Sequence, residues 1–156
     1  MRGAVKNRNI VKPDITFNSQ KVEKFINYVM KRGKKNMARK IVYTAFNLIK
    51  EKAKVMDPME VFDIALKNAG PTMEVRSRRV GGANYQVPRE VRPERRAYLS
   101  MKWIIDAAKA KKGKPMSEKL SEEIILASKN EGEAIRKREN IHKMAEANKA
   151  FAHFAW

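Results

Sequence analysis

The chain has 156 residues, and 35 Lys plus Arg against 17 Asp plus Glu give it a formal net charge of +18. A net charge of about 2–8 is enough to keep a small domain soluble, so this excess indicates a polyanionic partner. Nucleic acid is the first candidate and an anionic membrane surface the second. The absence of cysteine excludes disulfides, Cys-ligated zinc, iron–sulfur clusters and thiol catalysis.

The distribution of apolar residues argues against the membrane. No apolar run approaches the roughly 18 residues that a spanning helix needs. The N-terminus has basic residues but no apolar core of a secretion signal, and the charges do not follow one face of an amphipathic helix. We therefore expect a cytoplasmic protein without membrane contact. Its 43% hydrophobic residues suffice for one modest core, which predicts a single domain over residues 1–156.

Residues 1–19 are basic and show neither a helical nor a strand period. This pattern predicts a flexible arm that is extended in the free chain and becomes ordered on a polyanion. The alternative is a frayed terminus without a partner.

Three helices are predicted in the first half of the chain. Apolar residues from Val22 to Met30 recur at helical spacing, which predicts a helix over about 20–31, ended by Gly33. A second helix is expected over roughly 35–55. Asp57-Pro58 supplies an N-cap and a proline at the first position of a third helix, which Gly70-Pro71 closes.

Residues 72–91 replace the helical period with alternation around Gly81-Gly82, which predicts a β-hairpin. Pro88 cannot donate to a strand ladder, which is compatible with a two-stranded ribbon because both of its strands are edges. Polar and basic residues concentrate toward the turn, so we expect the end of the hairpin to project beyond the core.

Three more helices follow the hairpin. Pro93 begins the fourth, whose buried stripe is expected to start at Ala97; Ser117 is expected to cap the fifth, which extends through about Ser128. The C-terminal region, 130–156, contains a basic helix from about Glu133 to Ala150 and an aromatic tail that packs on RNA, on protein or on the chain's own surface. The tail comprises Phe151, Phe154 and Trp156. The predicted fold is mainly α: about six helices form a small core, with a protruding arginine-rich β-hairpin and a basic N-terminal arm.

The sequence does not match the motifs of enzymes or of metal sites that we considered. Gly33-Lys34 lacks the preceding glycine and the following Ser or Thr of a phosphate-binding loop. The only histidines are His142 and His153, and His142 with Glu146 reads as a solvated helix pair. We expect no enzyme activity, cofactor, metal or small-molecule substrate.

The arginines are concentrated. Seven of thirteen fall within residues 76–96, where their planar guanidinium groups match phosphate oxygens and can stack on bases. Further basic clusters lie between the first two helices, after the fourth helix and in the last helix. Charge on several separate elements favours a protein embedded in folded RNA over a DNA-binding regulator with one recognition helix. A regulator acting on DNA or messenger RNA and an RNA-processing enzyme remain as alternatives.

Three long motifs carry a family resemblance. The segment Arg78-Arg79-Val80-Gly81-Gly82-Ala83-Asn84-Tyr85-Gln86-Val87-Pro88 and the following run from Glu90 to Arg96 closely resemble the hairpin of bacterial small-subunit ribosomal protein 7. The runs Phe25-Ile26, Gly33-Lys34-Lys35 and Ile41 to Ala45 look like that family's N-terminal signature, and His142 to His153 looks like its C-terminal one. Lys21, Gly70 and Arg89 depart from the family's commoner residues.

The resemblance implies a helical protein with a β-hairpin that binds the 3′ major domain of small-subunit ribosomal RNA and nucleates assembly of the subunit head. It also implies contacts with small-subunit ribosomal proteins 9 and 11, and a hairpin and C-terminal region near the exit-site tRNA and the messenger RNA path. In some bacteria, such proteins repress translation of their own operon.

Mapped onto this chain, the resemblance and the charge pattern predict two groups of contacts. The rRNA-binding residues are expected to be Arg2, Lys6, Arg8, Lys34, Lys35, Arg76, Arg78, Arg92, Arg95, Arg96, Lys109, Lys111, Lys112 and Lys114. The residues near tRNA or messenger RNA are expected to be Arg79, Gly81, Gly82, Asn84, Tyr85, Arg136, Lys137 and Arg138.

Overall fold

A computed structural model of the chain describes residues 11–154. Within this range the chain is mainly helical and has one two-stranded antiparallel sheet, which confirms the predicted fold class. The elements in chain order are α1 (Gln20–Val29), α2 (Lys35–Ala53), α3 (Pro58–Ala69), β1 (Met73–Val80), β2 (Ala83–Glu90), α4 (Pro93–Ala110), α5 (Met116–Ser128), α6 (Glu133–Ala147) and a 3-10 helix (Lys149–Phe154). No described helix is long and apolar enough to cross a membrane.

The structure divides into two compact units, one ending at Lys40 and the other beginning at Ile41. In the first, α1 buries Val22, Phe25, Ile26 and Val29, the stripe that the sequence predicts. The helix ends at Val29, earlier than expected, because Met30 is extended and Arg32 and Gly33 both adopt positive φ.

The described part of the predicted N-terminal arm contains a turn. Asp14 is buried, and its carboxylate accepts the backbone N–H groups of Thr16 and Phe17, each at 3.1 Å. Arg2, Lys6 and Arg8 lie outside the described residues. Ordering of the whole arm on a polyanion stays a prediction.

In the second unit, α3, α4 and α5 contact one another, and α6 contacts all three. Phe62 of α3 packs on Phe46 of α2, with ring centroids 5.3 Å apart. Large side chains of α4, α5 and α6 complete the core. These are Leu99, Met101, Trp103, Ile104, Ile105, Leu120, Ile124 and Ile135.

Two details of the predicted helices are wrong. Ala97 is exposed, since the buried face of α4 starts at Leu99. Ser117 does not cap α5: the first accepting carbonyl belongs to Pro115, which receives the N–H of Lys119, so Ser117 already lies inside the first turn. The other boundaries differ by a few residues, as at α2, which ends at Ala53 before Lys54 enters the left-handed region with φ +50°.

The hairpin has the predicted two-residue turn. Val80 pairs with Ala83, and Gly81 and Gly82 have φ of +56° and +88°. Positive φ at both central residues is the condition for a type I′ turn, whose twist matches that of the strands. Both strands contact α6, and β2 also contacts the 3-10 helix, so the C-terminal region packs against the hairpin.

Candidate nucleic-acid interface

The base of the hairpin and the start of α4 form a charged pocket of about 270 Å³. Four arginines and two glutamates line it: Glu74, Arg76, Arg89, Glu90, Arg92 and Arg95. The sequence predicts Arg76, Arg92 and Arg95 as RNA ligands, and the structure brings these three together. Arg89, one of the seven arginines concentrated in residues 76–96 but not a predicted RNA ligand, is the fourth.

Glu74 organises one side of this pocket. Its carboxylate is mostly buried and accepts a hydrogen bond from Arg76 Nε at 2.8 Å on Oε1, and one from Arg95 Nε at 2.7 Å on Oε2. Burial by itself would raise the pKa of Glu74, but the hydrogen bonds and charges of Arg95 and Arg76 outweigh it and hold that pKa below its ordinary value. The carboxylate is therefore ionised at neutral pH and keeps both guanidinium groups in place.

The far end of the hairpin is joined to the C-terminus by aromatic packing. Tyr85 lies with its ring centroid 5.2 Å from that of Phe151 and 5.4 Å from that of Phe154. Arg78, opposite Tyr85 in the ladder, donates from Nη1 to the carbonyl oxygen of Phe154 at 2.8 Å. Of the three alternatives for the aromatic tail, the structure places Phe151 and Phe154 on the chain's own hairpin; Trp156 lies outside the described residues.

The turn itself remains open to a partner. Arg79, Gly81, Gly82 and Asn84 are all exposed, whereas Tyr85 is half-buried beneath the aromatic tail. Of the residues expected near tRNA or messenger RNA on the hairpin, these four are therefore accessible to a partner, and Tyr85 packs on the aromatic tail.

Two arginines of the predicted sites bind backbone carbonyls at helix ends. Arg96 donates from Nε to Gly70 O at 3.2 Å, just beyond the end of α3. Arg138 donates from Nη1 to Asn68 O at 2.6 Å. Cations at a helix C-terminus satisfy orphan carbonyls and oppose the helix dipole, so both side chains have a structural role. Their RNA contacts stay a prediction.

Gly70, a departure from the family pattern, is explained by Arg96. Gly70 has an ordinary φ of −77°, so its backbone does not require glycine. A Cβ at this position would lie 2.9 Å from Arg96 Nε and 3.0 Å from Arg96 Cγ. Glycine is therefore needed for space, to let the arginine reach the carbonyl.

The remaining basic residues of α6 are exposed. Arg136 pairs with Glu133 at 2.8 Å along the helix surface, and the ammonium group of Lys137 lies 5.9 Å from the centre of the Trp103 ring. Exposed pairs of this kind contribute little to stability, so both cations stay available to a polyanion.

The lysines after α4 differ in their surroundings. Lys109 and Lys112 are exposed. Lys111 lies 2.8 Å from Oε2 of the fully buried Glu123, and Lys114 lies 2.5 Å from the more accessible Glu122. The other oxygen of Glu123 accepts the backbone N–H of Ala134 at 3.0 Å, at the start of α6. Lys111 therefore neutralises a buried structural carboxylate, while Lys109 and Lys112 remain candidates for RNA contact.

In the first unit, the predicted RNA ligands Lys34 and Lys35 have different surroundings. Lys34 is exposed, whereas Lys35 forms an ion pair with Glu23, which is buried and also lies 3.4 Å from Arg39 Nη2. Lys34 thus presents its charge to solvent, and Lys35 orders the start of α2 against α1.

His142 has a different partner from the one that the sequence suggests. Its Nε2 accepts the backbone N–H of Thr72 at 3.0 Å, at the entrance to the hairpin. Burial and the charges of Arg138 and Arg96 lower the pKa of His142, and the neutral form is the one that can accept. Among residues 11–154, no group of three or more His, Asp or Glu could hold a metal ion.

Glu90, Glu74 and Arg89 line the pocket without being among the predicted RNA ligands. A signal for Glu74 and Arg89 exists: a two-residue turn at Gly81-Gly82 fixes the hairpin register and places Glu74 opposite Arg89. Alternation along β1 then puts Glu74 and Arg76 on one face.

The family model for ribosomal protein S7p/S5e matches residues 1–149. This chain belongs to the ribosomal protein S7p/S5e family. A curated S7p/S5e-type relative, small ribosomal subunit protein uS7 of Thermotoga maritima, is 58% identical over 146 residues, or 94% of each chain. The uS7 proteins of Thermoanaerobacter sp. (strain X514) and Thermotoga neapolitana are each 55% identical, over 99% and 100% of this chain and 98% and 100% of their own lengths. Membership in the S7p/S5e family confirms the resemblance that the hairpin motif indicated.

Proposed function

We propose that this chain is a structural protein of the small ribosomal subunit that binds the 3′ major domain of its ribosomal RNA directly. The observation that carries the proposal is the arginine-lined pocket at the hairpin base, in a chain whose curated relatives are named small ribosomal subunit proteins. Arginine forks suit phosphate oxygens, and positive charge on several elements suits a folded RNA. Binding of this kind would nucleate assembly of the subunit head.

The finer assignments follow from the two ends of the hairpin. The pocket and the exposed cations Lys34, Lys109 and Lys112 face ribosomal RNA phosphates in this proposal. The exposed turn, from Arg79 to Asn84, together with Arg136 and Lys137, lies near the exit-site tRNA and the messenger RNA path. Small-subunit proteins 9 and 11 are the proposed protein neighbours, the location is cytoplasmic, and the role is non-enzymatic.

A competition experiment tests the proposal. The purified chain is titrated with a transcript of the 3′ major domain, with a 5′-domain transcript of equal length and with duplex DNA, at one fixed salt concentration. We expect the 3′ major-domain transcript to bind tightest and to show a localised footprint. Equal affinity for the two transcripts, or preference for a DNA sequence, would contradict the proposal and favour a regulator.

A further inference from the structure

Each arginine held by Glu74 uses only part of its hydrogen-bonding capacity. Arg76 and Arg95 both donate from Nε, and they bind different oxygens of the same carboxylate. A guanidinium group presents its N–H donors in a rigid planar fork, so fixing Nε also fixes the direction of the two terminal amino groups. Both side chains remain about half exposed, at 53% and 44%. Their terminal groups are thus oriented yet still accessible.

Arg89 and Arg92 complete the pocket. With two glutamates against four arginines, the lining carries an excess of two positive charges. Its volume of about 270 Å³ lies below the roughly 300–1,000 Å³ typical of pockets for drug-sized ligands. This space suits a phosphate group with part of its neighbouring sugar.

We propose that Glu74 is a positioning residue that aims Arg76 and Arg95 at one backbone phosphate of the bound RNA, and that Arg89 closes the same phosphate site. The inference rests on the proposed function, since it names a ligand subsite within that RNA interface. It assigns a role to Arg89 and to an acidic residue, Glu74, which a count of positive charges would leave out.

The two glutamates of the pocket give a matched test. Both Glu74→Gln and Glu90→Gln remove one negative charge from the same pocket, and charge alone would make each variant bind a polyanion more tightly. Glu74 holds two arginines, whereas Glu90 forms no ion pair among residues 11–154. We therefore expect Glu74→Gln to weaken RNA binding severalfold and Glu90→Gln, which only removes a negative charge from the pocket, to strengthen it.

A purely structural role of Glu74 would not change the salt dependence of RNA binding. This dependence is therefore the readout. Each neutralised phosphate contributes about 0.7–0.9 to the slope of log K against log salt. Loss of the phosphate site lowers the slope by about that amount in Glu74→Gln and in Arg89→Ala. Arg89 is exposed, so Arg89→Ala should fold normally. Lys50→Ala, which removes an exposed charge outside the pocket, is the control and should leave the slope unchanged.

All variants are titrated against the 3′ major-domain transcript and against polyuridylate, with thermal unfolding as a check of folding. If the wild type binds the transcript no more tightly than polyuridylate, the proposed function is contradicted. The variants are then compared on polyuridylate. The inference itself is overturned if Glu74→Gln binds as Glu90→Gln does, or if Arg89→Ala keeps the wild-type slope. Either result would favour an acidic protein, in place of an RNA phosphate, as the partner of the pocket.

Discussion

The rings of Tyr85 on β2 and Phe154 in the terminal 3-10 helix lie 5.4 Å apart, and Phe151 contacts Tyr85 from the same helix. A two-stranded hairpin is marginally stable by itself in water. The aromatic cluster, together with the hydrogen bond from Arg78 to Phe154 O, supplies the missing support close to the turn. The exposed segment from Arg79 to Asn84 therefore lies at the end of a hairpin that the C-terminal aromatic residues stabilise.

Removing this anchor should loosen the hairpin. Aromatic pairs contribute about 0.5–1.5 kcal/mol each beyond their burial, so Tyr85→Ala should lower the local opening free energy of β2 by about 1–3 kcal/mol. Amide hydrogen exchange across β1, β2 and the 3-10 helix measures the effect. Tyr85→Phe keeps the ring and is the control. Unchanged exchange in Tyr85→Ala would show that the cluster does not hold the hairpin.

Arg96 should affect stability rather than salt dependence. It caps the end of α3 through Gly70 O, so Arg96→Ala should reduce the free energy of unfolding by about 1.5–3 kcal/mol, as expected for a hydrogen bond from a charged group. Arg92 and Arg95 line the pocket proposed for one phosphate, so replacing both with Ala should instead lower the salt slope of RNA binding by about 0.7–0.9. Chemical denaturation and titrations at several salt concentrations separate the two effects. The division of roles is wrong if Arg96→Ala lowers the slope as much as either neighbour does.

Gly70 and Arg96 should be energetically coupled. In the wild type, Gly70→Ala pushes Arg96 from its carbonyl and should destabilise the fold by about 1 kcal/mol. In an Arg96→Ala background the two contacts with Arg96 are gone and only Leu66 O, at 3.2 Å, stays close to the added Cβ. Alanine should then cost less than in the wild type, or be neutral through its smaller unfolded-state entropy. A double-mutant cycle on unfolding free energies measures the coupling. Additive effects would contradict a steric role for Gly70.

His142 should give the fold a pH dependence near neutrality. Its folded-state pKa lies below the ordinary value of 6.5, so the unfolded chain binds this proton more tightly than the folded chain. The stability that neutral His142 contributes is fully present above pH 6.5 and is lost as the pH falls below that value. We expect the unfolding free energy to decrease from about pH 7 to about pH 5, and to do so less in His142→Gln.

Urea unfolding across this range provides the measurement. Glu74, whose pKa is lowered from 4.5, contributes at more acidic pH, so its titration does not overlap. Identical pH profiles for the wild type and His142→Gln would rule out the Thr72–His142 bond as their cause.

Local chemistry explains what the sequence could predict. Asp57 caps α3 by accepting the N–H of Met59 at 2.8 Å, and Gly81-Gly82 makes the hairpin turn, because both features depend on neighbours in the chain. The apolar stripe of α1 follows from helical spacing alone.

Long-range pairing explains what the sequence could not predict. Arg96 and Arg138 look like RNA ligands from their charge, yet each reaches a carbonyl at the end of α3 that only the tertiary fold brings near. The aromatic tail meets Tyr85 for the same reason. The arginine cluster in the sequence thus predicted three arginines that meet in one pocket, while the division between structural and accessible arginines depends on the three-dimensional arrangement.

Sedimentation tests the central claim most directly. The tagged full-length chain, expressed in a bacterial cell, is followed through a sucrose gradient at moderate salt. We expect it to co-migrate with small ribosomal subunits and to stay with them after pelleting. A chain that remains at the top of the gradient, or that migrates with DNA instead, would contradict the assignment to the small subunit.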